Sequence, residues 1–292
     1  MTGWDRLVGT PLAPLVGPFP LRPFLEVCAT HGASDTCIVA DGSNAMALVV
    51  SEDVARFVGD HHLTDYHSPL GTGTEDLVAL LIADLGAMRF DLDSLPVEVA
   101  GPLAAAFEAV GRPVAWSADE PCWVLELGDA DSQGWESLLR SKDRHEVRRK
   151  RRRHEAARGA PTVATGPEHF DSFVALHRSS AGDKGDFMTD RMEGFFADLL
   201  QLPTARLDVL HLDGEVEAAA LGFEDDHGYY LYNSAYDAAQ ADLSPGLILV
   251  DRLITRTARQ GKERFDFLKG VEAYKRRLGA VERPLYRLEV SG

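Results

Sequence analysis

An α/β fold with mixed sheets, laid out in two consecutive halves, is the architecture this sequence predicts. Three observations predict it. The chain has 292 residues, more than one hydrophobic core ordinarily holds. Apolar runs of strand type alternate with stretches of helical spacing. The same alternation recurs after a short basic segment in the middle of the chain. A hydrophobic fraction of 45% with 26% charged residues is that of a globular protein rather than a disordered one.

The first half opens with a proline-rich lead, "TPLAPLVGPFPLRP", read as irregular. "TCIVA" and "AMALVV", separated by Asp41-Gly42-Ser43-Asn44, predict a hairpin. "TEDLVALLIADLGA" predicts a helix with Thr74 as N-cap, acids in its first turn and Gly86 at its end. "MRFDLDSLP" predicts a short strand and "PVEVAGPLAAAFEAVG" a helix with a proline irregularity. "PVAWS" and "CWVLEL" are read as two further strands.

In the second half, "PEHFDSFVALHRSS" and "DRMEGFFADLLQL" predict helices, with Glu168 and Asp190 near the positive ends of their dipoles. "ARLDVLHL", "VEAAALGFE" and "YYLYNSAY", joined by turns at Asp213-Gly214 and His227-Gly228, predict a three-stranded antiparallel run. "SPGLILVDRLITRTARQG" predicts a helix with Ser244 as N-cap, Pro245 at its first position and Gly261 at its stop. "RFDFLKG" and "PLYRLEV" close the chain as strands. No short-period repeat is present, but the halves are readable as two copies of one α/β unit. The division expected is residues 1–139, a connecting basic helix over 140–160, and residues 161–292.

Three cysteines without paired spacing, Cys28, Cys37 and Cys122, suggest neither a disulfide framework nor a zinc site, which fits a reducing cytoplasm. The amino terminus lacks the pattern of a secretory signal. The longest apolar run, near "LVALLIADL", is far short of the roughly 20 residues of a membrane span.

Charge is distributed unevenly. Residues 1–139 hold 5 Lys/Arg against 21 Asp/Glu, residues 140–158 hold 10 against 3, and residues 159–292 hold 15 against 22, for a total of -16. The long-range field therefore repels DNA and anionic membranes, while a local phosphate site is compatible with it. Over residues 142–158 the one large apolar residue is Val147, so the basic helix has no apolar stripe. Glu146 with Lys150 and Glu155 with Arg152 are in register to pair. Arg144/Arg148, Arg148/Arg152 and Arg149/Arg153 are like-charged neighbours costing about 0.2 to 0.5 kcal/mol each. Two explanations stand: neutralisation by the acidic residues 1–139, or phosphate binding, for which arginine is suited.

"SLLRSKDRHEVRRKRRRHEAARG" and the stretch from "LHLDGEVEAAALGFE" through "FLKGVEAYKRRLG" resemble the CelD-like branch of the GNAT acyltransferases. That branch is similar in turn to the Fem-type peptidyltransferases, which add aminoacyl groups to cell-wall precursors. The resemblance covers about residues 135 to 290 and is weaker over 35–134, where "HHLTDYHSPLG" resembles the first-domain strand and loop. It implies two tandem GNAT-like domains and acyl or aminoacyl transfer to an amine or hydroxyl. The donor it implies is acyl-CoA or aminoacyl-tRNA, without a metal. The acceptor is a small molecule or a cell-envelope precursor. In "DFLKGVEAYKRRLG" the matching aromatic-Lys pair is Tyr274 and Lys275, near the acyl donor. Of the Gly-rich loop usual before the central helix of acetyl-CoA enzymes, "ADLSPGLILV" retains only Gly246.

These residues suit the chemistry. The N-terminus at Ser244, Pro245, Gly246 and Leu247 presents N–H groups to a donor phosphate, and glycine allows close approach. Lys275 is expected to stabilise developing negative charge on the donor with Tyr274 orienting it, and Asp237 to act as base or amine anchor. Arg148, Arg149 and Arg152 are expected to meet donor phosphates. Lys269, Glu272, Asp65, Tyr66 and Tyr232 are the expected substrate contacts, although core packing also explains the tyrosines of "YYLYNSAY". His61, His62, Asp65 and His67 match no zinc spacing and read as a strand and loop lining a cleft. The competing function is a non-catalytic module gripping nucleic acid or another anionic polymer through the basic helix.

Overall fold

The computed structural model describes residues 3–32, 35–59, 61–128, 130, 134–180, 182–270 and 273–292, without the side chains of Asp183 and Lys184. Contacts group the chain into two compact units, residues 1–122 with 282–292, and residues 123–281. This differs from the division expected at 139 and 160. The basic helix lies inside the second unit, and the last strand lies in the first.

In the first unit, α1 (Arg22–His31) precedes β1 (Thr36–Ala40), β2 (Ala45–Ser51) and β3 (Val54–Phe57). The hairpin forms where predicted, with Ala40 opposite Ala45. The Asp41 carboxylate accepts from the Ser43 and Asn44 N–H groups, which fixes the turn. Helix α2 (Thr74–Leu85) then leads to β4 (Arg89–Pro96), parallel to β3. Gly73 holds the N-cap position, so Thr74 is the first helical residue, and Gly86 ends the helix at φ 65°. Helix α3 (Val97–Ala109) carries Pro102 inside it. The two strands expected next are one, β5 (Val114–Glu126), with its first residues in this unit. Phe90 of β4 packs on Phe107 of α3 at 5.1 Å, both buried.

In the second unit, α4 (Ser141–Arg158) is followed by β6 (Thr162–Thr165), α5 (Phe170–Arg178), α6 (Asp183–Phe187) and α7 (Asp190–Leu199). Thr189 caps α7 by accepting from the Met192 N–H. The predicted antiparallel run is β7 (Ala205–Leu212), β8 (Glu215–Glu224) and β9 (Gly228–Tyr236). Helix α8 (Pro245–Arg259) crosses over to β10 (Arg264–Asp266), parallel to β9, and α9 (Ala273–Arg277) follows. The core here joins Trp123 and Leu125 of β5, Val147 of α4, Leu231 of β9, Ile248, Leu249, Leu253 and Ile254 of α8, and Phe265 and Phe267.

The two units share a pattern: a run of antiparallel strands (β1 to β3 in the first, β6 to β9 in the second), a crossover helix, and a further strand parallel to the last of the run. In both, that further strand then meets a partner from the other half of the sequence. β10 pairs antiparallel with the end of β5, and β4 pairs antiparallel with the final strand, β11 (Val281–Val290). The fold is mixed α/β in both units. No helix among the described residues is long and apolar enough to cross a membrane.

Candidate functional site

The parallel pair of the second unit is incomplete. β10 pairs with β9 only from Arg264/Gly228 to Asp266/Tyr230. β9 runs on to Tyr236, still bonded to β8, whereas Phe267 and Leu268 turn to β5 through bonds with Trp123. The sheet is thus opened between Leu231–Tyr236 on one side and residues 267–270 on the other. At the opening, β9 carries a bulge. Leu221 faces Asn233 and Gly222 faces Leu231, so Tyr232 has no register partner on β8. Bulges bend a strand, end pairing locally and collect beside active sites. The spacing of tyrosines in the sequence did not signal it.

Helix α8 begins at this opening. Ser244 precedes it in the left-handed conformation, φ 59°, and its hydroxyl makes no cap bond. Its carbonyl instead accepts from the Leu247 and Ile248 N–H groups at 3.0 and 3.1 Å. Pro245 has no N–H to offer. Gly246 has one neighbour that explains its identity, because a Cβ there would stand 3.1 Å from Tyr236 Cδ1. The close approach expected for a ligand is thus made first by the protein's own tyrosine. Asp237 is half-buried and its carboxylate accepts from the Ala239 N–H at 2.9 Å, capping the 3-10 turn Ala238–Leu243.

On the other side, Leu268 also has a positive φ, 58°, costly for a branched residue. The buried Asp266 carboxylate accepts from its N–H at 2.8 Å and holds the turn. Lys275 projects from α9 with 3% of its surface exposed. Its ammonium donates to the carbonyl of Leu268 at 3.4 Å and to that of Lys269. Tyr274 is half-buried and meets Phe267 edge-on at 6.0 Å. The carbonyl of Lys269 thus lies against the Lys275 ammonium. Glu272 lies outside the described residues.

Tyr232 is half-buried against Phe223 at 5.3 Å and Phe196 at 6.1 Å. Tyr230 donates to Asp225 at 3.0 Å. Burial first, then the neighbouring Asp225 and Asp266 charges, push its phenol far above the ordinary value, so it stays protonated. Tyr66 is enclosed within the first unit at 0% exposure. Phe19 is 6.0 Å from its ring and the Arg283 guanidinium 4.9 Å. It reads as core rather than as the substrate contact expected. Asp65 precedes it, half-buried, its carbonyl accepting from the Cys122 thiol at 3.8 Å. Among the described residues no group of three or more His, Cys, Asp or Glu is disposed to hold a metal ion.

The arginines separate by face. Arg149 makes a bidentate pair with Glu146, 2.8 Å for each bond, in place of the expected Glu146–Lys150 pair. Glu155 pairs with Arg252 of α8 instead of Arg152. Arg148 and Arg151 share Glu136, and Arg151 also chelates the buried Asp251. Arg153 reaches Asp242, and Arg158 reaches Glu215 and Glu217. Of the acids in residues 1–139, Glu136 is the one these bonds use; most of the neutralising charge comes from residues 215–251. Arg148, Arg151 and Arg152 line a cavity of about 950 Å³ with Arg252, Arg259 and Lys262. The last three were not foreseen, although Arg252, Arg256 and Arg259 are spaced i, i+4, i+7 on α8.

The sheet of the second unit is thus opened between β9 and β10, with a bulge on one edge and a helix N-terminus at the opening. Residues 141–276 match the family described as an acetyltransferase (GNAT) domain. No curated protein matches the chain in sequence. Among solved structures, a conserved protein of unknown function from Bacteroides thetaiotaomicron is similar over 100% of this chain and 98% of its own, at 14% identity and a TM-score of 0.71. FemX is similar over 98% of this chain and 96% of its own, at 12% identity and 0.63. L-PGS from Bacillus licheniformis is similar over 97% and 93%, at 16% identity and 0.61. At these identities the likeness is one of fold.

Proposed function

We propose that the second unit transfers an acyl group from a coenzyme A ester to an amine or hydroxyl, with the donor lying in the opening between β9 and β10. The observation that carries this reading is the loss of pairing after Tyr230 and Asp266, beside the α8 N-terminus. A thioester laid along the free edge of β9 has strand backbone on one side and the dipole of α8 at its phosphates. The match of residues 141–276 to the GNAT acetyltransferase domain supports the same donor.

In this reading the acceptor nitrogen or oxygen attacks the donor carbonyl, the C–S bond breaks, and the acceptor's proton leaves as the new amide or ester forms. Lys275 supplies positive charge for the oxyanion of the tetrahedral intermediate. Its burial favours that role, since a cation fixed in a water-poor site stabilises developing charge more than one in solvent. Tyr274 orients it. Asp237, at the end of β9, receives the acceptor's proton or anchors its amine, and Tyr232 and Lys269 stand beside the acceptor. FemX and L-PGS have the same fold at low identity, and an aminoacyl ester on tRNA would present the same kind of carbonyl. The net charge of -16 favours the smaller donor.

The test is a thermal-shift series with acetyl-CoA and longer acyl-CoA esters, with native mass spectrometry of the purified protein. A ligand of the folded state raises the melting temperature with the logarithm of its concentration. The expected result is a saturable rise with at least one ester. A flat response to all esters, with turnover of an aminoacyl-tRNA, would transfer the reading to the RNA donor. A flat response to both would end it.

A further inference from the structure

The arginine-lined cavity is not part of that opening. Its α8 residues, Arg252, Thr255, Ala258 and Arg259, lie in the C-terminal half of the helix. At 1.5 Å per residue they stand about 9 to 20 Å along the axis from Gly246. The remaining walls among the described residues include Arg148, Arg151, Arg152 and Glu155 of α4, Gly261 and Lys262, and Leu127, Trp135 and Glu136.

Among the described residues, six cationic side chains line the cavity against two acids, Glu136 and Glu155. The pairs already described account for Arg148, Arg151 and Arg252, and Lys262 reaches Glu224 at 3.2 Å. Arg152 and Arg259 are exposed and make no ion pair among the described residues. Arg252 Nη2 meets Glu155, and both residues line the cavity. The like-charged ladder of α4 is a second sign: Arg148 and Arg152 are one turn apart and both line this space, and an anion there would offset their repulsion.

We propose that the cavity is a binding site for a small, multiply phosphorylated anion, held by Arg152 and Arg259 and flanked by Arg148 and Arg252. Arginine forks bind phosphate oxygens bidentately, which suits several phosphates close together. A volume of about 950 Å³ is that of a small-molecule site. The charge of the chain argues in the same direction. A polyanion extending beyond the cavity meets a surface whose net charge is -16, whereas a compact ligand stays within the local positive field.

The test is calorimetric titration with inorganic tripolyphosphate at fixed ionic strength, on the full chain, with a single-stranded RNA oligomer as the second arm. The expected result is saturable, one-site binding of tripolyphosphate. The double variant Arg152→Gln with Arg259→Gln is expected to weaken it roughly tenfold or more, since each lost contact is a hydrogen bond to a charged group. Both side chains are exposed, so folding is not at stake, and an unchanged circular dichroism spectrum checks this. Lys275→Met should leave tripolyphosphate binding intact, which keeps this result separate from the fate of the acyltransferase reading. Absence of saturable binding, or binding unchanged in the double variant, overturns the proposal. So does tighter, steeply salt-dependent binding of the RNA through the same two arginines, which would make the cavity part of a polymer track.

Discussion

The Lys275 ammonium donates to the carbonyl of Leu268, the residue that turns the chain away from β9 in a left-handed conformation. One side chain thereby ties α9 to the edge where the sheet opens. Lys275→Met removes both the charge and the tie. Loss of the two donated bonds is expected to cost roughly 1 to 3 kcal/mol of stability, read from urea unfolding. Turnover is expected to fall about a hundredfold or more, as for removal of an oxyanion stabiliser. Lys275→Arg should restore part of the stability without restoring the rate. A Lys275→Met variant that keeps its rate would take Lys275 out of the chemistry.

Gly246 and Tyr236 are in close packing, and a Cβ at 246 already presses on the tyrosine ring. Gly246→Val is expected to cost about 1 to 3 kcal/mol through overpacking. Its KM for the donor should rise, because the shift falls at the start of α8. Adding Tyr236→Ala should recover stability, since the obstructing ring is gone. Melting temperatures of the three variants check this.

Asp208 is wholly buried and accepts from Arg256 through two bonds, 2.6 and 2.9 Å, and from the Tyr229 hydroxyl at 2.8 Å. Burial first, then the Asp208 charge, hold the Tyr229 phenol far above its ordinary value. Asp208→Leu would leave a half-buried guanidinium without its anion. The expected loss is roughly 3 to 5 kcal/mol, that of breaking a buried pair from one side. Asp208→Leu with Arg256→Met should be the more stable of the two variants. Denaturant midpoints decide it.

Burial works to raise the Glu136 carboxyl, but Arg148 and Arg151 outweigh it and hold the group below its ordinary value. A depressed carboxyl contributes stability that is complete above the unfolded value, about 4.3, and is lost as pH falls through the lower folded value. Glu136→Gln should therefore flatten the acid limb of the stability curve below about pH 4.3. Melting temperatures in a pH series show whether it does.

The final strand belongs by contact to the first unit. Leu285, Leu288 and Val290 are buried there, and β11 is bonded to β4. Each such side chain is worth about 1.5 to 3 kcal/mol. A chain ending at Val281 should lose protection from hydrogen exchange first in β4 and α3, although both lie far away in sequence. Loss confined to residues 270–281 would contradict the pairing.

Most elements were legible because their signals are local. Asp41-Gly42-Ser43-Asn44 specified a hairpin turn, and Pro245 and Gly261 bracketed α8 by backbone geometry alone. The "FLKGVEAYKRRLG" stretch marks Lys275 as a candidate, and the density of arginine over 140–158 marks a local phosphate site or a neutralised helix. "PVAWS" and "CWVLEL" were separated because their intervening polar residues look like a loop, yet one strand runs through them as it pairs along its length. The bulge at Tyr232 was not legible. A bulge is a mismatch between two strands, and one strand read alone does not contain it.

The sequence by itself determined the kinds of element, their order, the repeated α/β rhythm and the placing of positive charge in one short segment. Each follows from φ/ψ preferences and from hydrophobic periodicity within a few residues. Tertiary structure alone decided that β5 meets β10 and β11 meets β4. It also decided that Arg149 turns to Glu146 while Arg148 and Arg152 face a cavity with Arg259, and that the tyrosine over Gly246 is the protein's own. Those outcomes depend on pairing energies between residues up to 200 positions apart along the chain, such as Arg287 with Asp91. Local preference does not encode which of several compatible partners a strand edge or guanidinium will meet.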